Sequence, residues 1–296
     1  MRSCGSARFA ALLGVFHLKI LRTVLAAAQT CHKAAPVVLV PTMGALHRGH
    51  AALIDRARAR AGKRGTVVVS IFVNPSQFGP KEDFSKYPRT FAADRKLCAK
   101  HGADYIFFPT PTDMYPEGFS TWVNEEQLSQ SLCGASRPGH FRGVCTVVLK
   151  LFNIVRPVIA VFGLKDFQQC AIICHMVRDL DLAVEIDMVE TVREADGLAL
   201  SSRNAYLSAE ERAQAPILRR ALLEAHDAWK KGETSAARLR QKIVRTIKSA
   251  PLARIDYVEI ANQGTLQPVK KVTRHTVIAL AVFFGRTRLI DNLWIT

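Results

Sequence analysis

Pro41-Thr-Met-Gly-Ala-Leu-His-Arg-Gly-His50 is the stretch on which the fold turns. Val37–Val40, immediately before it, is a short aliphatic run of the kind that forms a buried parallel strand. His50–Ala61, immediately after it, has the composition of a helix. A strand, a glycine-containing loop and a helix start in that order make a ligand cradle. Gly44 and Gly49 let backbone pass close to a bound group, and a helix start offers unpaired N–H groups to an anion. His47 and His50 are three residues apart, so both face one side of the first turn. Imidazoles there can donate to phosphate oxygens, more strongly as charge accumulates in a transition state. A zinc site is the weaker alternative, because two histidines at this spacing lack a third and fourth ligand.

Working outward, Thr66–Val73, Asp104–Phe108, Val158–Phe162 and Val184–Val192 repeat the strand pattern of Val37–Val40. Between them lie helical stretches at Phe91–His101, Gly143–Val155 and Phe167–Asp179, and Leu18–Ala28 reads as a first helix. Strict alternation of strand and helix predicts an α/β fold, a Rossmann-like doubly wound parallel sheet. After Asn204 the pattern changes to two helices, Ala209–Lys230 and Ser235–Ser249. Strands at Arg254–Ala261 and Thr276–Phe284 and a short one near Leu289–Ile295 follow. The expected division is a larger domain over 1–191 and a smaller α+β domain over 192–296, with ligands in the cleft between them.

Three more stretches fall where strands end or loops turn. Ser70-Ile-Phe-Val-Asn-Pro-Ser-Gln-Phe78 runs off a strand and presents Asn74 and Gln77, neutral side chains suited to hydroxyl and carboxylate groups. Beyond it, Tyr87-Pro-Arg-Thr90 leads to Asp94, a carboxylate able to stand near a hydrated magnesium ion. Arg137-Pro-Gly-His-Phe-Arg-Gly143 is a basic loop, followed by Phe162-Gly-Leu-Lys-Asp-Phe-Gln-Gln169 with Lys165 as a point charge for phosphate. Arg193-Glu-Ala-Asp-Gly-Leu-Ala-Leu-Ser-Ser-Arg-Asn204 offers two hydroxyls and the permanent cation of Arg203.

The net charge of +16 is concentrated at the two ends of the chain. Residues 1–64 hold eleven Lys and Arg against one acid, and residues 211–296 hold sixteen against seven. Helical stretches carry much of this excess, which reads as solvated faces. Aromatic residues are few in both segments, which argues against an RNA-binding surface built on stacking. Seven cysteines, an odd number without a C-x-x-C pair, suit reduced thiols and a cytoplasmic location. The apolar run near the amino terminus is broken by His17, Lys19 and Arg22, too early for a membrane span.

Taken together, PTMGALHRGH, SIFVNPSQF, RPGHFRG, GLKDFQQ and DGLALSSRN resemble the pantothenate synthetase family in order and spacing. The resemblance runs from about Phe16 to Leu293 and ends on Arg288-Leu-Ile-Asp-Asn292, so residues 1–15 read as an extension outside the family. It implies an H-x-G-H nucleotidyltransferase-type fold and a ligase that joins pantoate to β-alanine, consuming ATP through a pantoyl adenylate. Met43, Gly44, Ala45, Leu46, His47, Arg48, Gly49 and His50 would then line the ATP site. Gly163, Leu164, Lys165, Asp166, Val192, Leu200, Ser201, Ser202 and Arg203 would complete it. His50, His47, Lys165 and Arg203 would act on the phosphates, with His50 as the proton donor. Gln77 would hold pantoate and β-alanine, and Gln169 pantoate. Magnesium would bridge the ATP phosphates with Asp94 as an outer partner, and the enzyme would be a homodimer with neither nucleic acid nor membrane as partner. Leu164 departs from the family, which usually has Glu there. The alternative is an H-x-G-H nucleotidyltransferase acting on a phosphorylated small substrate.

Overall fold

A computed structural model describes residues 18–79 and 84–295. Its larger sheet has six parallel strands, β1 (Lys19–Leu21), β2 (Val37–Thr42), β3 (Thr66–Ile71), β4 (Tyr105–Phe107), β5 (Ile159–Gly163) and β6 (Glu185–Val189). The helices among them are α1 (Val24–Cys31), α2 (Arg48–Ala61), α3 (Phe91–Lys100), the short α4 (Pro111–Met114) and α5 (Cys133–Ser136), α6 (His140–Val155) and α7 (Phe167–Asp179). Successive strand residues face opposite sides of the sheet. Val37 and Leu39 accordingly pack with α1, α6 and α7, while Val38 and Val40 pack with Leu53, Ile54 and Ala57 of α2. Both faces are covered, which is why the strands had to be continuously apolar.

The strand order is β1-β4-β3-β2-β5-β6. From β2 the chain winds outward through β3 to β4 on one side, then crosses back to lay β5 and β6 on the other. The reversal falls between β2 and β5, and a crevice opens there at the carboxyl ends of the strands. PTMGALHRGH follows β2 and GLKDFQQ follows β5, so the topology brings the two loops together.

Beyond β6 come α8 (Ala209–Gln214), α9 (Ile217–Lys230) and α10 (Ala236–Lys248), then β7 (Ala253–Asn262), β8 (Thr276–Phe284) and β9 (Thr287–Ile295). The three strands form an antiparallel sheet in the order β7-β8-β9. Leu218, Leu222, Leu239 and Ile243 of the helices pack on Val258, Leu280 and Phe284, a core separate from those of the large sheet.

Several elements differ from the sequence expectation. Leu18–Ala28 is not one helix: Lys19–Leu21 pairs with Tyr105–Phe107 at the sheet edge, and α1 starts only after Thr23. The Thr23 hydroxyl accepts from Ala26 N at 3.1 Å, a side-chain cap that fixes the start there. Ala209–Lys230 divides at Pro216, whose missing N–H interrupts the helical ladder. The final strand is nine residues long, starting at Thr287. Residues 1–15 lie outside the described residues.

Candidate active site

One cleft at the switch point gathers Met43, His47, Gly49 and His50 from the first loop with Gly163, Lys165, Asp166 and Gln169 from the second. Gln77 enters from the end of β3, and Val192, Leu200, Ser201, Ser202 and Arg203 enter from the segment joining the two domains.

The first loop folds tightly. Gly44 has φ +84° and Ala45 φ +51°, so two successive residues sit in the left-handed region. Asp94, at the first turn of α3 and 2% exposed, compensates for this. Its carboxylate accepts from Ala45 N at 3.1 Å, Leu46 N at 2.9 Å and Thr90 Oγ1 at 3.0 Å. With its oxygens so engaged, Asp94 holds the loop from beneath. A buried carboxylate bonded to backbone N–H groups is a strong, charge-assisted clamp.

Above the clamp, the two histidines cap α2 reciprocally. Gly49 N donates to His47 Nδ1 at 3.1 Å, and His47 N donates to His50 Nδ1 at 3.2 Å. An imidazole nitrogen that accepts carries no proton, so each neutral ring keeps its hydrogen on Nε2. Burial, then the charge of Lys165, lowers His47 to about 4; burial, His47 and Lys165 lower His50 to about 3. Both are therefore neutral Nε2–H donors near pH 7. The rings lie 4.2 Å apart, and a Cβ at position 49 would come within 2.8 Å of the His47 ring. Only glycine leaves His47 in place.

Opposite stands the 3₁₀ turn Leu164–Asp166, and its anchor comes from the second domain. Asn292 Nδ2 donates to Leu164 O at 2.9 Å and to Lys165 O at 3.0 Å. Asp291 beside it receives both guanidinium nitrogens of Arg193, at 2.7 and 2.9 Å. In the joining segment, Ser201 Oγ accepts from Arg203 N at 3.2 Å. Burial raises the Tyr87 phenol above its usual pKa, opposed by a hydrogen bond with Ser202 and the charge of Arg203.

Behind Gln77, Asn74 Nδ2 donates to Gln77 Oε1 at 3.0 Å and to Gly143 O at 3.1 Å. With Oε1 occupied, Gln77 offers the cleft its amide N–H₂. The backbone carbonyl of Gln77 accepts from His140 Nδ1 at 2.9 Å and Arg137 Nη2 at 3.2 Å, which explains the basic RPGH loop beside it. A Cβ on Gly143 would meet Ser76 O at 2.3 Å, so glycine there lets α6 close on the Asn74–Gln77 turn. Gln169 lines the cleft, whereas its neighbour Gln168 is buried and bonded to Cys133 N, Leu128 O and Ser131 O.

Not every expected residue reaches the cleft. Ala45 and Leu46 serve through their backbone on Asp94, Gly44 lies beside them, and Leu164 contributes its carbonyl. Arg48 points away and pairs with Glu194 at 2.7 Å, its side chain 71% exposed. Sequence reasoning assigned no role to Asn292, Asp291 or Arg193; the RLIDN motif was visible, but its partners lie more than 90 residues away. Nor do the described residues contain a group of three His, Cys, Asp or Glu side chains that could hold a metal. Asp94, expected near magnesium, is engaged by Ala45 N, Leu46 N and Thr90 Oγ1 of the loop and its own helix start.

Fold and cleft define a doubly wound α/β protein whose H-x-G-H loop, Lys165 and Arg203 meet at the switch point of the sheet. The pantoate–β-alanine ligase family model matches residues 15–294. A pantothenate synthetase of Pelotomaculum thermopropionicum is 52% identical over 260 residues, 88% of this chain and 91% of that protein. The crystal structure of the Thermus thermophilus enzyme superposes with a TM-score of 0.89 at 45% identity, covering 94% of this chain and 99% of that one. That of Francisella tularensis pantoate–β-alanine ligase, complexed with β,γ ATP and β-alanine, gives a TM-score of 0.76 at 32% identity, covering 94% and 97%. The chain belongs to the pantoate–β-alanine ligase family.

Proposed function

We propose that the chain condenses pantoate with β-alanine at the expense of ATP, through a pantoyl adenylate. The observation that carries this is that one cleft is lined both by groups suited to phosphate, His47, His50, Lys165 and Arg203, and by the neutral amides of Gln77 and Gln169. A pantoate carboxylate oxygen attacks the α-phosphorus, the bond to the bridging oxygen breaks and pyrophosphate leaves. The amine of β-alanine then attacks the acyl carbon, loses a proton and displaces AMP. Such a sequence needs alignment and donors for growing oxygen charge, not a nucleophilic side chain.

His47 and His50 donate neutral Nε2–H bonds to phosphate oxygens, so His50 acts as a hydrogen-bond donor that keeps its proton. Lys165, Arg203, Ser201 and Ser202 supply the remaining phosphate contacts, and Met43, Gly49, Gly163, Asp166, Val192 and Leu200 shape the nucleotide pocket. Gln77 and Gln169 hold pantoate, and Gln77 also reaches β-alanine. Magnesium would accompany the ATP phosphates and would supply neutralisation of their charge, while His47, His50, Lys165 and Arg203 supply the protein's donors. A cytoplasmic homodimer completes the proposal. Buried, unpaired Cys31, Cys98, Cys145 and Cys170 suit a reducing compartment, and no helix among the described residues is long and apolar enough to cross a membrane.

The test is AMP and pyrophosphate formation from ATP and pantoate, with and without β-alanine. Pantothenate and AMP in equal amounts are expected only when all three substrates are present. A nucleotidyltransferase would instead keep the nucleotide in its product and ignore β-alanine.

A further inference from the structure

We propose that Asn292, a residue of the second domain, is a positioning residue for Lys165 in adenylate formation. The proposal rests on the assignment of Lys165 to the ATP phosphates made above. In β9, residues two apart share a face. Arg288, Asn292 and Trp294 fall on the face turned to the large domain. Arg288 reaches Cys133 Sγ at 3.2 Å, and Trp294 meets the Phe167 ring edge-on at 5.2 Å. Leu289, Leu293 and Ile295, on the other face, belong to the core of the second domain. The row on the outward face thus docks on the large domain, Arg288 on α5, Trp294 on the start of α7 and Asn292 on the turn before it.

Within that row Asn292 does something packing alone does not require. One amide nitrogen carries two hydrogens, and they meet two consecutive carbonyl oxygens, those of Leu164 and Lys165. Fixing two successive carbonyls fixes the peptide planes on both sides of the Lys165 Cα, and so the direction in which its side chain leaves the backbone. Burial lowers both imidazoles first, and the charge of Lys165 lowers them further, so its placement is felt by His47 and His50 as well. Asn292 is itself oriented: its N–H donates to Asp291 Oδ1 at 2.8 Å, and Asp291 is held by Arg193. The chain of contacts runs from the joining segment through β9 to the phosphate-binding lysine.

A double-mutant cycle on adenylate formation tests this, using Asn292→Ala, Lys165→Ala and the pair, with ATP KM and kcat read separately. Losing the two bonds should lower kcat/KM for ATP about tenfold when Lys165 is present. In the Lys165→Ala background the same change should matter less than twofold, because the group being positioned is gone. Asn292→Ser, which retains one donor, should recover part of the loss. If Asn292→Ala does not fold, Asn292→Asp keeps the shape, lacks the N–H donors and carries the same cycle. Equal losses with and without Lys165 would overturn the proposal and leave Asn292 a stability residue. Wild-type rates in Lys165→Ala would overturn the assignment of Lys165 itself, a distinct failure.

Discussion

The loop after β2 and the turn after β5 face each other across one cleft, yet different parts of the molecule hold them. Asp94, from the same domain and almost wholly buried, ties down Ala45 and Leu46. Asn292, from the other domain, ties down Leu164 and Lys165. The imidazole loop is consequently held chiefly from within the large domain, with one ion pair from Arg48 to Glu194 of the joining segment, whereas the turn that carries the lysine is held where the second domain docks. Substrate-binding clefts between domains can use such a division. One wall is preformed, and the other is completed by the partner domain.

The largest effect should come from the preformed wall. His50→Ala and His47→Ala should each slow AMP formation by about 10²–10³, the usual loss for one donor to developing oxyanion charge. The pH dependence sharpens the point. Both rings stay neutral in the folded protein until about pH 4 and 3, while in the unfolded chain they protonate near 6.5. The rate should show no inflection near 6.5 from these residues. As pH falls below 6.5 the unfolded state takes up protons first, so stability is full above that value and declines down to the folded values. Thermal melts of wild type and the His47→Ala/His50→Ala double variant at pH 7 and 5 check this. Wild type should lose more on acidification, and equal losses would mean that the rings are not held neutral.

A smaller loss, combined with an altered stability, is expected of Asp94→Asn. The amide cannot accept from both Ala45 N and Leu46 N, and it turns a donor toward buried donors. An orphaned buried polar group costs roughly 1–3 kcal/mol. Urea unfolding should register that cost, and AMP formation should fall about 10–100-fold as His47 and His50 lose their platform. Asn292→Ala should lower activity with a smaller change in unfolding, since its bonds lie at a domain contact and not under a left-handed turn. If the two variants show the same ratio of stability loss to activity loss, the distinction between the two anchors collapses.

The sequence revealed one wall better than the other for a physical reason. Strands and helices of the large domain follow from local periodicity, and the two histidines carry their meaning in a spacing of three residues. Gln77, Lys165 and Arg203 sit in loops whose composition marks them. Asp94 was visible as a carboxylate near the site, but nothing in its neighbours indicates whether it faces an ion or a backbone 48 residues away. Asn292 lies further out of reach, because its partners are 127 and 128 residues distant and the contact exists only through the docking of two domains. Lys19–Leu21 was hidden similarly: a three-residue edge strand has no period of its own and is defined by its partner β4.

The smallest effect should come from Leu164→Glu, which restores the residue expected from the family resemblance. The turn at 164 is held through its carbonyl oxygens, so the identity of the side chain should matter little to its shape. Gly163 before it and Lys165 after it are the residues that line the cleft. A glutamate at 164 would be partly exposed and would add one negative charge near a cationic pocket. Solvent-screened charges of that kind contribute about 0–1 kcal/mol, which corresponds to less than tenfold in rate. Steady-state kcat and ATP KM for the variant should both stay within that range, and the melting temperature should barely move. A hundredfold gain would mean that a carboxylate at 164 contacts the reacting groups directly. Asn292 would then be only half of what positions the turn, and the asymmetry between the two walls would belong to this chain's leucine instead of to the fold.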